Sequence, residues 1–388
     1  MKKMLKLLCI FLSLFFMGTT AVSPALAENI KVGVLLPLTG KLARFGEIEQ
    51  KSFHLAVKEI NSAGGVNGNG IDLIIEDTTG RPDVGRSAIE KLILQDKVVV
   101  VGGGWSSSVT WAAATVARQR KVPFLVNTAS ADKITEQGWK YIFRINPPVS
   151  EHPRALASFL RKVARVKTAA ILHENTYSGQ FGAKRFVKLC EELSIEVVMN
   201  EGYEEGATEL DPLLLEVKAK DPDLVYMNSS PMDASLLMQQ AKMLNLVPKL
   251  FVGNAAGFTG EAAEYVYSPT LWTPSVPYPG ARDYFDRFMA KYDSPPGYHG
   301  AQAYAAMYVI ADALKRAAPL LTPKGVRDAL SETEMMTVLG PVKFVSYGKK
   351  TQQNSLPTYI VQWIDGKLET VWPKEVATAR YVYPFLSK

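Results

Sequence analysis

Strand-length apolar runs and helix-length amphipathic runs alternate along almost the whole chain, and that order admits few folds. Residues 30–36 predict a strand. Phe53, Ala56, Val57 and Ile60 then repeat at helical spacing until Gly64-Gly65 stops the helix. Asn67-Gly68-Asn69-Gly70 signals a turn before a strand over 71–76, and residues 83–95 predict a helix. An apolar strand over 98–101 follows. A helix then begins near Ser106, with Ala112, Ala113, Val116 and Ala117 as its stripe, and a strand over 122–126 comes next. Parallel strands joined through helices need right-handed crossovers and helices on both sheet faces.

The alternation pauses at Asn146-Pro147-Pro148-Val149 and restarts. Helices are predicted over 151–165, 178–193, 210–218 and 232–244, with strands over 168–173, 195–199, 224–227 and 250–252. A second break, stiffened by prolines, runs through 268–280, and residues 298–318 predict a further helix. Near the end, 358–363 and 367–372 flank Asp365-Gly366, the pattern of a β-hairpin. The chain therefore reads as two similar α/β units.

The first 27 residues set the compartment. Lys2, Lys3 and Lys6 precede or enter an apolar stretch over 5–17, and Ala25-Leu26-Ala27 offers a small-x-small cleavage site. A soluble exported chain, periplasmic or extracellular, starting at Glu28 is expected. Cys9 lies too early for a lipid anchor, and Cys190 is then the only cysteine, a core residue rather than a reactive thiol. With 44 basic and 38 acidic residues, three of the basic ones in the leader, the mature charge is about +3. No basic run or aromatic-interleaved patch is present, so nucleic acid is not an expected partner.

Residues 102–108, Gly-Gly-Gly-Trp-Ser-Ser-Ser, carry the strongest chemical signal. Glycines beyond a strand allow a sharp turn with nothing projecting into the space ahead. Serines at a helix N-terminus add hydroxyls to N–H groups that lack intrahelical acceptors, an arrangement suited to a carboxylate. A capped helix with no ligand is the plainer reading of the same residues.

Enzyme signatures fail on specifics. The segment is not a complete dinucleotide fingerprint, and Glu76-Asp77 lie upstream of it rather than downstream. Tyr177-Ser178-Gly179 lacks the preceding glycine of a nucleophile elbow. His54, His152, His173 and His299 are isolated, without zinc-ligand spacing. The chain is expected to be a binder rather than an enzyme, with no metal and no cofactor.

Several segments occur together in one order: Ile30-Lys-Val-Gly-Val-Leu-Leu-Pro-Leu-Thr-Gly40, Ala43-Arg-Phe-Gly46, Ile60-Asn-Ser-Ala-Gly-Gly-Val-Asn-Gly68, the serine segment, Val122-Pro-Phe-Leu125, Tyr177-Ser-Gly-Gln-Phe-Gly182 and Gly340-Pro-Val342. In these the chain resembles the branched-chain amino acid-binding proteins, solute-binding subunits of ABC importers with the class I periplasmic binding fold. The resemblance covers nearly all of 28–388. It implies two Rossmann-like lobes, 28–147 plus 277–352 and 148–276 plus 356–388, joined by crossovers near 146–150, 268–276 and 351–357. It implies a small-molecule ligand, an organic carboxylate, held in the cleft by hinge closure, and a membrane permease and ATPase as partners. A ligand-sensing receptor of the same fold, signalling through a separate partner, is the alternative.

The resemblance also assigns residues. The carboxylate-binding serine falls on Ser106, beside Ser107, with Trp105 as a cleft wall. Thr128 and Ser130 would supply hydroxyls and Ala129 backbone groups. Phe45 matches a lining aromatic, Tyr177 a tyrosine of the second lobe that closes over the ligand, and His299, next to Tyr298, a lining position. Arg44 could meet a second anionic group. Amino acid binders of this family place a glutamate after the strand at 250–252, whereas this chain has Asn254, Ala255 and Ala256. An ammonium left unpaired in a closed cleft is costly. Either Glu47, Glu174 or Asp233 substitutes, or the ligand has no ammonium. The second is expected, with Phe45, Trp105 and Tyr177 sandwiching an apolar or aromatic body.

Overall fold

A computed structural model describes residues 29–253 and 263–385. The first unit runs β1 (Ile30–Leu36), α1 (Ala43–Ser62), β2 (Ile71–Asp77), α2 (Pro82–Leu94), β3 (Val101–Gly103), α3 (Ser107–Arg120), β4 (Phe124–Val126) and β5 (Ile142–Arg144). The second runs α4 (Arg154–Phe159), β6 (Thr168–Glu174), α5 (Tyr177–Leu193), β7 (Glu196–Tyr203), α6 (Asp211–Lys220), β8 (Leu224–Asn228), α7 (Pro231–Met243), β9 (Leu250–Val252) and β10 (Tyr267–Thr270). Then come α8 (Ala281–Tyr292), α9 (Gly297–Ala317), α10 (Pro323–Ser331), β11 (Glu334–Thr337), β12 (Gly340–Lys343), β13 (Val345–Tyr347), β14 (Lys350–Gln353), β15 (Tyr359–Ile364) and β16 (Lys367–Trp372).

These strands form two seven-stranded sheets, ordered β13-β14-β5-β4-β3-β1-β2 and β16-β15-β10-β9-β8-β6-β7, with β11 and β12 as a separate hairpin. The sheets are parallel except where β13 meets β14 and where β15 meets β10 and β16. Each defines a lobe. The chain passes between them three times: after β5, after β10 and after β14.

Period-two side-chain alternation gives each sheet two cores. In β1, Val32, Val34 and Leu36 pack with Phe53 and Ala56 of α1 and with Ala306 and Ile310 of α9, while Leu35 packs on the other face with Ile89 of α2 and Ala113 and Ala117 of α3. In β6, Ala169 and Ile171 join Phe186, Leu189 and Cys190 of α5, and Ala170 and Leu172 join Leu214 of α6 and Leu237 of α7. Cys190 is fully buried, as expected of a core thiol, and burial pushes its thiol up to about 12.

One strand lies elsewhere than expected. The valines at 98–101 predict a strand, but the third ladder is Val101–Gly103 and uses the glycines themselves. A Cβ on Gly102 would meet Ile310 Cδ1 at 3.0 Å, and one on Gly103 would meet the Leu35 carbonyl oxygen at 2.4 Å. Close approach of β1 therefore excludes a side chain at Gly103, and α9 crowds one at Gly102.

Candidate functional site

The two sheets fix where loops converge. In the first, β1 lies between β2 and β3, so the chain leaves β1 toward one side and enters β3 on the other. Ligands of open α/β sheets bind at such a reversal, beyond the carboxyl ends of the strands. The loops after β1 and β3 meet there. Gly103 and Gly104, at φ 100° and 90°, turn the chain out of β3. Trp105 then stacks on Phe45, with ring centroids 4.7 Å apart and planes 19° apart.

His299, at the start of α9, closes this cluster at 5.2 Å from Phe45 and 5.8 Å from Trp105. Burial pushes its pKa down to about 3, so the imidazole is neutral at physiological pH. Trp105 Nε1 and His299 Nδ1 are both buried and make no hydrogen bond among the described residues. Buried polar atoms of this kind are rare in folded chains. Phe45 and Trp105 lie in direct contact, so they form one wall rather than the two faces of a sandwich.

Ser106 is the N-cap of α3, yet its side chain caps nothing; its hydroxyl lies 3.2 Å from that of Ser108. The helix N-terminus thus keeps its N–H groups, and the hydrogen-bonded Ser106–Ser108 pair has one hydroxyl proton left over for an anion. Ser107 is used differently. Its hydroxyl accepts the Ala131 N–H at 3.1 Å and ties α3 to the loop after β4.

That loop departs from expectation at two residues. Thr128 is buried and points inward: its Oγ1 lies 2.6 Å from Glu49 Oε1 and 3.0 Å from Gln302 Oε1. The Ala129 N–H donates to the Gly104 carbonyl at 2.8 Å, and its carbonyl accepts from Arg144. Their polar groups are therefore taken up in holding the loop. Ser130 keeps its hydroxyl at a half-buried position, and its carbonyl accepts from the Val149 N–H at 2.7 Å. Arg144, fully buried, locks the arrangement by donating to the Ala131 carbonyl, Thr135 and Gln353, the last on β14 at the third passage between lobes.

Arg44 is exposed. Tyr177 begins α5, but its side chain lies outside the described residues, as does all of Asn254. Each of the three acids expected as a possible ammonium partner already has one carboxylate oxygen engaged. Glu47 pairs with Lys51 at 2.6 Å, Glu174 accepts the Ser230 N–H, and Asp233 accepts the Gly206 N–H at 2.9 Å.

Between the lobes, a cavity of about 450 Å³ lies where the first two passages meet the second sheet. Tyr298 reaches it from the first lobe, and Arg185, Phe186, Tyr226 and Asn228 line it from the second.

A sequence model of the periplasmic binding protein family matches residues 29–367. The chain belongs to that family. Leu/Ile/Val-binding protein homolog 7 of Brucella suis biovar 1 (strain 1330) is 28% identical over 390 residues, covering 93% of this chain and 96% of the relative. The crystal structure of a branched-chain amino acid transporter substrate-binding protein from Streptococcus pneumoniae in complex with isoleucine superposes with a TM-score of 0.75 at 25% identity, covering 89% of this chain and all of that one. A solute-binding protein of an ABC transporter from R. palustris, in complex with benzoate, shares the fold with a TM-score of 0.73 at 22% identity, covering 92% and 98%.

Two residues of this periplasmic binding protein escaped the sequence reading. Glu49 is an acid on the buried stripe of α1 that holds Ser52, Phe53 and Ala56, and Arg185 is a cation among Phe181, Phe186 and Leu189 on α5. A charge on an apolar stripe was the available signal in both cases. Among the described residues no helix is long and apolar enough to cross a membrane, and the leader with its expected cleavage site lies outside them.

Proposed function

We propose that this periplasmic binding protein is the solute-binding component of an ABC importer, exported by cleavage after Ala27, and that it holds a small organic carboxylate between its lobes without changing it chemically. The observation that carries this reading is the pair of orphaned polar atoms, Trp105 Nε1 and His299 Nδ1, set in an aromatic wall next to the uncapped N-terminus of α3. An indole N–H, a serine hydroxyl and helix N–H groups are donors that fit an oxyanion, and the Phe45–Trp105 wall fits an apolar or aromatic body. A neutral His299 adds no competing cation. With the family's glutamate replaced and one oxygen each of Glu47, Glu174 and Asp233 engaged elsewhere, an α-ammonium would have no dedicated partner among the described residues. Likeness to a benzoate-bound fold and to an isoleucine-bound relative is compatible with an acid-bearing solute.

Native mass spectrometry of freshly purified protein, with calorimetry against benzoate and benzamide, tests the reading. A retained acid, and benzoate binding at least tenfold tighter than benzamide, is expected. Equal binding of the two would remove the carboxylate from the account.

A further inference from the structure

The cavity between the lobes has an unusual charge pattern for its size. Its walls are mainly apolar or aromatic, with Leu156 of α4, Phe186 and Leu189 of α5, Tyr226 of β8 and Tyr298 of α9 among them, and among the described residues no aspartate or glutamate lines it. Phe186 and Tyr226 stack with centroids 3.9 Å apart and planes 1° apart, which makes one wall flat and stiff. Into this space α5 delivers the half-buried guanidinium of Arg185.

A guanidinium carries five N–H donors in a planar fork. Arg185 uses Nη2 on the Val149 carbonyl and lies 5.8 Å from the centre of the Phe181 ring; it forms no ion pair among the described residues. The acid whose charge acts on it, Asp132, shares a neighbouring surface pocket with Arg185 but accepts from Ser150 and lies 3.2 Å from Lys350. His152, also in the wall, faces the Pro147 carbonyl and is kept neutral by burial, so it brings no second charge. A partly desolvated cation with spare donors and no carboxylate in direct contact among the described residues, Asp132 acting on it only at longer range, fits a planar, bidentate anion.

We propose that Arg185 recognises a second carboxylate of the solute, so that the natural ligand is an acid charged at both ends with an apolar, planar middle. One end lies at the N-terminus of α3 and the other passes Tyr298 to Arg185, which makes Arg185 a specificity-determining residue on the second lobe. This rests on the cleft reading given under the proposed function, and matched probes separate the two.

The experiment compares benzoate with terephthalate, and hexanoate with adipate, by calorimetry on the native protein, R185Q, R185K and W105A, with thermal unfolding to confirm that each variant folds. In the native protein at least one diacid binds tenfold or more tighter than its monoacid; that gain disappears in R185Q and is partly kept in R185K. A native protein with no diacid gain, or a gain that survives in R185Q, overturns the role of Arg185, and monoacid binding that depends on Trp105 would still stand. A diacid gain lost in R185Q but untouched in W105A upholds Arg185 and removes the first-lobe contacts. Should R185Q fail to fold, R185K decides alone: loss of the planar fork must shrink the gain at least threefold, and an undiminished gain rejects the proposal.

Discussion

Glu49 is fully buried on α1, one turn beyond Phe45, and with the Gln302 amide oxygen facing Thr128 its hydrogen bonds balance when the carboxyl carries a proton. Asn127 Nδ2 donates to Oε2 at 2.9 Å, while Thr128 Oγ1 faces two oxygens, Glu49 Oε1 and Gln302 Oε1. One hydroxyl has one proton. If Glu49 donates to Thr128, Thr128 can donate to Gln302 and both short contacts are satisfied. Burial pushes the Glu49 pKa up to about 7, against the pull of Asn127 and Thr128, in agreement with that balance. Its folded value is raised, so folding takes up a proton; the stability contribution is intact below about pH 4.5 and is lost as pH rises through about 7. His299 and His152, whose folded values are lowered, act in the opposite sense, with stability rising through the acid range. The difference between Glu49→Gln and the native protein isolates the carboxyl. An amide supplies the same donor and acceptor, so its advantage in urea unfolding should grow by about 2 kcal/mol between pH 5 and pH 8. A constant difference would mean that Glu49 titrates normally. The neighbouring indole allows a second test. Trp105→Phe keeps a ring against Phe45 but removes Nε1–H, and a hydrogen bond to a charged group contributes about 1.5–3 kcal/mol. Benzoate affinity by calorimetry should fall roughly tenfold or more with little change in Tm; unchanged affinity would exclude the indole as a donor.

At the scale of elements, β3 and the loop that follows it carry the site. Gly103 combines φ 100° with a Cβ position 2.4 Å from the Leu35 carbonyl oxygen, so alanine there meets both backbone strain and a backbone atom that cannot move aside. Gly103→Ala should cost roughly 2–4 kcal/mol in denaturant unfolding, combining left-handed strain with overpacking; a loss under about 0.5 kcal/mol would show that β1 can give way. The same strand shows the reach of local sequence. Valine preference places a strand at 98–101, but only the nearness of Leu35 and Ile310 explains why glycines form the ladder. By contrast, the closing hairpin is written locally. Asp365 and Gly366 take φ 51° and 71°, the left-handed pair that a tight two-residue turn demands, and β15 pairs antiparallel with β16. The expected helix over 151–165 breaks into a 3₁₀ turn at Val149–Glu151, α4 at Arg154–Phe159 and a π turn at Leu160–Ala164, a change of winding that apolar spacing alone does not encode. The start of α3 at its serine run was legible because helix-start preferences are local, although Ser106 makes no side-chain cap. The inward turn of Thr128 was not, because its partners lie on α1 and α9, far along the chain.

For the whole molecule, the two-sheet architecture follows from the alternation of strands and helices, and the position of the cleft follows from the strand order. Its charge does not. Phe45, Trp105 and His299 are brought together from three separate segments, and Arg185 meets the first lobe's Tyr298 only across the gap. What the described residues of the assembled cleft offer is aromatic surface, oriented N–H and hydroxyl donors and the Arg185 guanidinium, with Glu174 and Asp233 each engaged through one oxygen. A ligand that touches both lobes favours the closed arrangement only by the free energy of contacts absent when the lobes are apart. An aromatic acid gains such contacts on both sides. On the proposed reading, leucine would bring an ammonium for which the described residues dedicate no carboxylate, and the desolvation of that charge would offset its apolar contacts. Thermal unfolding should therefore rise with benzoate or terephthalate, by about 2.7 kcal/mol of stabilisation at a hundredfold excess over Kd, and stay flat with leucine, isoleucine or valine at the same concentrations. Small-angle scattering should show the radius of gyration shrinking with the aromatic acid and not with leucine. Strong stabilisation and contraction by leucine would mean that an acid in the segment at 254–262, or Glu174 released from Ser230, does reach the ammonium, and the preference for acids lacking an ammonium would be withdrawn.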